Sequence, residues 1–95
     1  MNTYELTIVI PGNESPQKKK AASETVEKLV KVNNGSVKET KDWGKIDLAF
    51  PVKKNDSGLF TLYKLEMEAD GARAMNNRLR AEDEFIRYLL IKKLN

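Results

Sequence analysis

Hydrophobic and polar positions alternate at the start of the chain: Tyr4, Leu6, Ile8 and Ile10 fall on one side, and Glu5, Thr7 and Val9 on the other. A period of two over this length predicts a strand from Thr3 to Ile10 with one core-facing side. Pro11-Gly12-Asn13-Glu14 is turn chemistry. Ser15 before Pro16 then predicts a helix start, with serine as the cap and proline at the first helical position. From there the period becomes helical, because Ala22, Val26, Leu29 and Val30 recur at i, i+4, i+7 and i+8 while Lys18-Lys19-Lys20, Glu24, Glu27 and Lys28 take the wet side. This helix is predicted to run to about Val32, where Asn33-Asn34-Gly35 ends it.

Val37 to Val52 reads as one long strand. Trp43, Ile46, Leu48, Phe50 and Val52 supply β-favouring apolar side chains, and Lys45, Asp47 and Lys53 fall between them in rough half-buried alternation. Were the Trp43 indole buried, its truncation to alanine would cost about 2 to 4 kcal/mol. Gly44 breaks the alternation and predicts a bulge, while Pro51, lacking an amide hydrogen, assigns the strand to the border of its sheet. The polar run Lys53 to Gly58 predicts a hairpin turn leading into a strand from Leu59 to Met67. Ala69-Asp70-Gly71 opens a second helix, capped by Asp70, with Ala72, Met75 and Leu79 as its apolar stripe to about Arg80. Phe85 to Ile91 reads as a last strand from its β-branched and aromatic content.

The resulting order, β-α-β-β-α-β, predicts an α+β, ferredoxin-like domain over residues 1–95: a four-stranded antiparallel sheet with two helices on one face. The far face of such a sheet should be polar, yet Phe60 and Leu62 stand opposite Leu59, Tyr63, Leu65 and Met67. If Ile86, Tyr88 and Leu90 point to the helices, Leu89 and Ile91 point away beside Arg87. Apolar residues on both faces predict a far side that another macromolecule covers.

Composition narrows the functions open to such a domain. Ninety-five residues support one small core, and a net charge of +3 with 33% charged residues is only weakly basic. The chain has neither cysteine nor histidine, which removes thiolate nucleophiles, imidazole metal ligands and the commonest general base near neutral pH. No catalytic set, metal site or cofactor is expected. No apolar run approaches the roughly 18 to 20 residues that cross a bilayer, so the expectation is a cytoplasmic protein with no membrane partner and no small-molecule substrate.

Three segments resemble the bacterial small-subunit ribosomal protein six family. They are the opening Tyr4-Glu5-Leu6, the stretch DWGKIDLAFPVKK from Asp42 to Lys54, and Leu79-Arg80, Asp83 and Ile86-Arg87 leading into the last strand. The middle segment is the most specific, with a glycine followed by leucine, alanine, an aromatic, proline, a branched aliphatic and lysine. The chain departs from the pattern at Ile46 and Asp47, where a basic and then a polar residue are common, and at Asn2, where arginine is frequent. The resemblance implies a non-catalytic protein that binds the central domain of small-subunit ribosomal RNA together with the eighteenth protein of that subunit.

Candidate contacts follow from that implication. Arg80 and Arg87 match basic positions of the family, and an arginine can grip a phosphate with two parallel hydrogen bonds. Their bland readings are an ion pair of Arg87 with Glu5 across neighbouring strands and a favourable dipole interaction of Arg80 at its helix end. Lys45, Lys53, Lys54, Lys92 and Lys93 lie on or near strand ends, where they reach a polyanion or simply deter strand pairing. Phe60, Leu62, Leu89 and Ile91 are assigned to the protein partner. Two other classes share the fold. An acylphosphatase needs an arginine in the loop after the first strand, where this chain has Pro11-Gly12-Asn13-Glu14. The alternative that stays open is a small-molecule-binding regulatory domain of ferredoxin-like fold.

Overall fold

The N-terminal period of two becomes β1 (Asn2–Pro11) in the computed structural model, which describes residues 1–13, 15–52, 55–83 and 85–93. It is followed by α1 (Pro16–Val32), β2 (Ser36–Val52), β3 (Asn55–Met67), α2 (Ala69–Ala81) and β4 (Arg87–Lys92). The strands form one antiparallel sheet in the order β2-β3-β1-β4, the ferredoxin-like arrangement that the sequence predicts. Tyr4, Leu6, Ile8 and Ile10 of β1 join Tyr63, Leu65 and Met67 of β3 beneath Ala22, Val26, Leu29 and Val30 of α1 and Ala72, Met75 and Leu79 of α2. Phe85 closes this core, and Val37, Leu59, Tyr88 and Leu90 pack at its margin.

Both ends of α1 are built from local chemistry. The Ser15 hydroxyl accepts a hydrogen bond from the Lys18 amide at 3.3 Å, and Pro16 holds the first helical position. At the other end Gly35 N–H donates to Val30 O and Asn34 N–H to Lys31 O, with Asn34 in the left-handed region at φ 59°, which is a Schellman closure. At α2 the expected cap moves by two residues. Glu68 occupies the N-cap without a side-chain bond, and Asp70 lies in the first turn, where its charge offsets the helix dipole. Gly71 lets this turn sit against the end of α1, since a Cβ there would lie 2.7 Å from Asn33 O.

Three further expectations change. β2 does lie at the sheet border and does bulge between Asp42 and Gly44, with Gly44 at φ +77°. It is not, however, half-buried along its length: Trp43 is the residue the bulge expels from the ladder, and it is 59% exposed. The reason is the bulge on a border strand: Trp43 lies level with Ile8 and Val9 of β1, but the extra residue has no ladder partner and β2 has no neighbour on its outer edge. The polar hairpin turn is shorter than expected, because Asn55 to Gly58 are already part of β3. β4 begins at Arg87 and not at Phe85, and Ile86 stays out of the helix-side core that receives Tyr88 and Leu90.

Two substitutions check this packing. Trp43→Ala should shift stability by no more than about 0.5 kcal/mol, as expected for a surface side chain, which a urea midpoint will show. The buried Tyr63 hydroxyl makes no hydrogen bond of good geometry among the described residues, and burial raises its pKa, opposed weakly by the Ser23 hydroxyl near it. Tyr63→Phe removes that orphan group and should raise stability by about 1 kcal/mol in the same measurement.

Candidate protein and nucleic-acid interfaces

Strand register places every far-face side chain. Across the sheet, Ile91, Glu5, Lys64 and Glu39 form one row, and Leu89, Thr7, Leu62 and Lys41 form the next. Arg87, Val9, Phe60 and Gly44 form a third. Leu89 is 57% and Ile91 44% exposed, whereas Phe60 and Leu62 are half-buried on the central strand. None of the four belongs to the core under the helices. The far face is therefore apolar at one end, as the broken alternation of the sequence predicts.

That end also holds residues that sequence reasoning missed. Val9 and Ile86 are buried although neither joins the helix-side core, and with Leu48, Phe60 and Arg87 they line a notch of about 80 Å³. Ile86 is held there by its amide, which donates to Val9 O at 2.9 Å. The available signal was Val9 itself, a branched aliphatic on the wrong parity of β1.

The other end of the far face is charged but internally paired. Lys93 Nζ lies 2.7 Å from Glu5 Oε1, and Lys64 Nζ lies 3.1 Å from Glu39 Oε2. Lys41 adds a longer contact to Glu39, and Lys38 stands 3.4 Å from Glu66. The hydrogen bond from Lys93 leads the causes that lower the Glu5 pKa, and that from Lys64 does the same for Glu39. On the helix side, Lys19 of α1 hydrogen-bonds Asp42 of β2, and this contact, followed by the Gly44 amide, lowers the Asp42 pKa. The partner expected for Arg87 is thus wrong: Arg87 stands opposite Val9, while Glu5 stands opposite Ile91 and binds Lys93. Geometry overrules the guess because the register offsets the two residues along the strand.

The basic candidates are not brought together. Arg87 and Lys93 lie on the far face. Lys45, opposite Leu59, and Lys92, opposite Tyr4, share the helix side, and Arg80 is exposed in the last turn of α2. Lys53 and Lys54 lie outside the described residues. Among the described residues, no cluster of acidic side chains could hold a metal ion, and no helix is long and apolar enough to cross a membrane.

The sequence profile of the family described as ribosomal protein S6 matches residues 3–92. The chain belongs to the ribosomal protein S6 family. Small ribosomal subunit protein bS6 of Pelagibacter ubique is 32% identical over 92 residues, spanning 97% of this chain and 76% of the relative. The bS6 protein of Alkaliphilus oremlandii is 26% identical over 92 residues and is covered to 97% of its own length. The crystal structure of 30S ribosomal protein S6 from Thermotoga maritima superposes with a TM-score of 0.89 at 20% identity, covering 97% of this chain and 87% of that one. This last likeness speaks for the fold. As a member of the S6 family, the chain is a structural, non-enzymatic component of the small ribosomal subunit, which lies in the cytoplasm of bacteria.

The three lowered carboxylates fix the sign of a pH dependence. Each favours its ionised form more in the folded chain than in the unfolded one, so its stabilisation is present above the ordinary carboxylate range and is lost as pH falls through the lower folded values. The urea midpoint should hold between about pH 7 and 5 and decline below about pH 4, where unfolded carboxyls take up protons. Lys93→Gln should remove part of that decline.

Proposed function

We propose that this S6-family chain binds the central domain of small-subunit ribosomal RNA jointly with the eighteenth small-subunit protein. The single observation that carries the reading is the far sheet face, where Leu89 and Ile91 stay exposed beside half-buried Phe60 and Leu62. Apolar side chains rimmed by charge are the anatomy of a protein interface, and these four, in two strips on β4 and β3 flanking Thr7 of β1, are its apolar centre. The notch between Val9, Phe60 and Ile86 receives an apolar side chain of the partner, with Arg87 at its rim.

The RNA contacts are assigned to Arg87, Lys45, Lys92, Arg80, Lys53 and Lys54. Lys93 contributes where a phosphate replaces Glu5 as its counter-charge. Each contact is modest, so protein and RNA surfaces act together: a partner already seated on the sheet presents the RNA at high effective concentration.

The test is fluorescence anisotropy on a labelled central-domain RNA fragment, with and without the partner protein. The partner should raise affinity for the RNA by at least roughly tenfold. Leu89→Asp combined with Ile91→Asp should abolish that gain while leaving the denaturation midpoint nearly unchanged, because both side chains are exposed. Equal affinity with and without the partner would overturn the joint mechanism.

A further inference from the structure

The net charge of the molecule is unevenly divided between its two layers. α1 and α2 hold eight of the seventeen lysines and arginines but only Glu24, Glu27 and Asp70 of the fourteen acids. The helices therefore carry +5, and the remainder of the chain, sheet and loops together, carries −2. The pairing of charges differs in the same sense. On the sheet side Lys38, Lys41, Lys64 and Lys93 each face a carboxylate while Lys45, Arg87 and Lys92 form no ion pair among the described residues; on the helices Lys19 pairs with Asp42 and Arg73 with Asp70, whereas Lys20, Lys28, Lys31, Arg78 and Arg80 form none among the described residues.

Between the helices lies a groove of about 570 Å³. Lys28 stands on its α1 wall and Arg78 on its α2 wall; Leu29, Val32, Ala74 and Asn77 also line it, with Glu82. Lys28, Asn77 and Arg78 are exposed, so their polar ends are open to a ligand. We infer that this groove is a second RNA-contacting surface, in which Lys28 and Arg78 hold phosphates of one sugar–phosphate backbone from opposite walls.

The choice of occupant follows from charge and from what the surface lacks. A protein interface has an apolar centre, and a membrane-bound helix needs an apolar face. Among the described helix residues Val32 is the large hydrophobic side chain that stands exposed, and it lines the groove; one aliphatic side chain is a small centre for a protein or membrane contact, and the other aliphatic residues of the stripe are spent on the core. Unpaired cations on both walls of the groove fit a polyanion, whose condensed counterions they displace. Asn77 is a ready donor to phosphate or ribose oxygen. The inference rests on the RNA-binding reading above but uses different residues, those around the groove between the helices.

Reversal of both cations tests it. The variant Lys28→Glu with Arg78→Glu is measured for anisotropy with the labelled central-domain fragment over a range of salt, in the presence of the partner protein. Affinity should fall by at least roughly tenfold and the logarithmic salt slope should drop by about two, near one for each phosphate contact. The neutral variant Lys28→Gln with Arg78→Gln should show the same slope change with a smaller loss. Direct association with the partner protein, followed without RNA, should be unchanged in both variants. Unaltered RNA affinity and slope in a variant whose denaturation midpoint matches the parent would overturn the inference. So would loss of partner association, which would assign the groove to the protein. If the Leu89 and Ile91 variant loses its partner while the groove variants retain full RNA affinity, the inference fails and the joint mechanism stands.

Discussion

The structure depends on the burial of β1 between two ladders and under two helices. Its backbone pairs with β3 on one edge and β4 on the other, and Leu6 at its centre is inaccessible to solvent. Side chains in a strand alternate with a period of two, so a slip of one residue would carry Tyr4, Leu6, Ile8 and Ile10 out of the core together. That penalty pins the register. Once the register is pinned, the far-face rows are determined as well, and with them the neighbours of every candidate contact. Val9 is the informative exception, since it is buried on the face that the helices do not cover.

Electrostatics then separates the two layers. On the charged end of the sheet, lysines and glutamates neutralise one another across strands, which keeps the border strand from presenting a long uncompensated edge. Such exposed pairs contribute little to stability individually. Their consequence is on availability: a lysine held by a carboxylate meets a phosphate only by exchange. The helices have few acids, and Lys20, Lys28, Lys31, Arg78 and Arg80 form no ion pair among the described residues. A weak overall charge of +3 conceals this division, because it averages a positive layer with a negative one.

Membership of the S6 family and the close superposition on a 30S protein at 20% identity illustrate how loosely the fold constrains surface chemistry. The fold demands a patterned core, capped helices and a tolerable border strand, and it leaves most outward positions free. Ile46 stands opposite Gly58, level with Pro11 at the end of β1, and Asp47 opposite Ser57 lies one residue beyond it, both on the border strand.

What the sequence determined by itself was the set of elements, their order and the core side of β1, β3 and both helices, together with the apolar surplus at Phe60, Leu62, Leu89 and Ile91. These are local signals, periods of two and of 3.6 and the chemistry of caps, that need no knowledge of neighbours. Only the tertiary structure decided which side chains meet. Trp43 reads as core in isolation and is exposed because a bulge on the border strand expels it from the ladder; Ile86 shares parity with Tyr88 and Leu90 but lies before the strand begins. Glu5 pairs with Lys93 and not with Arg87, because register between strands far apart in sequence is set by the whole sheet. The groove of Lys28 and Arg78 exists only where two helices pack side by side, so no spacing within either helix announces it.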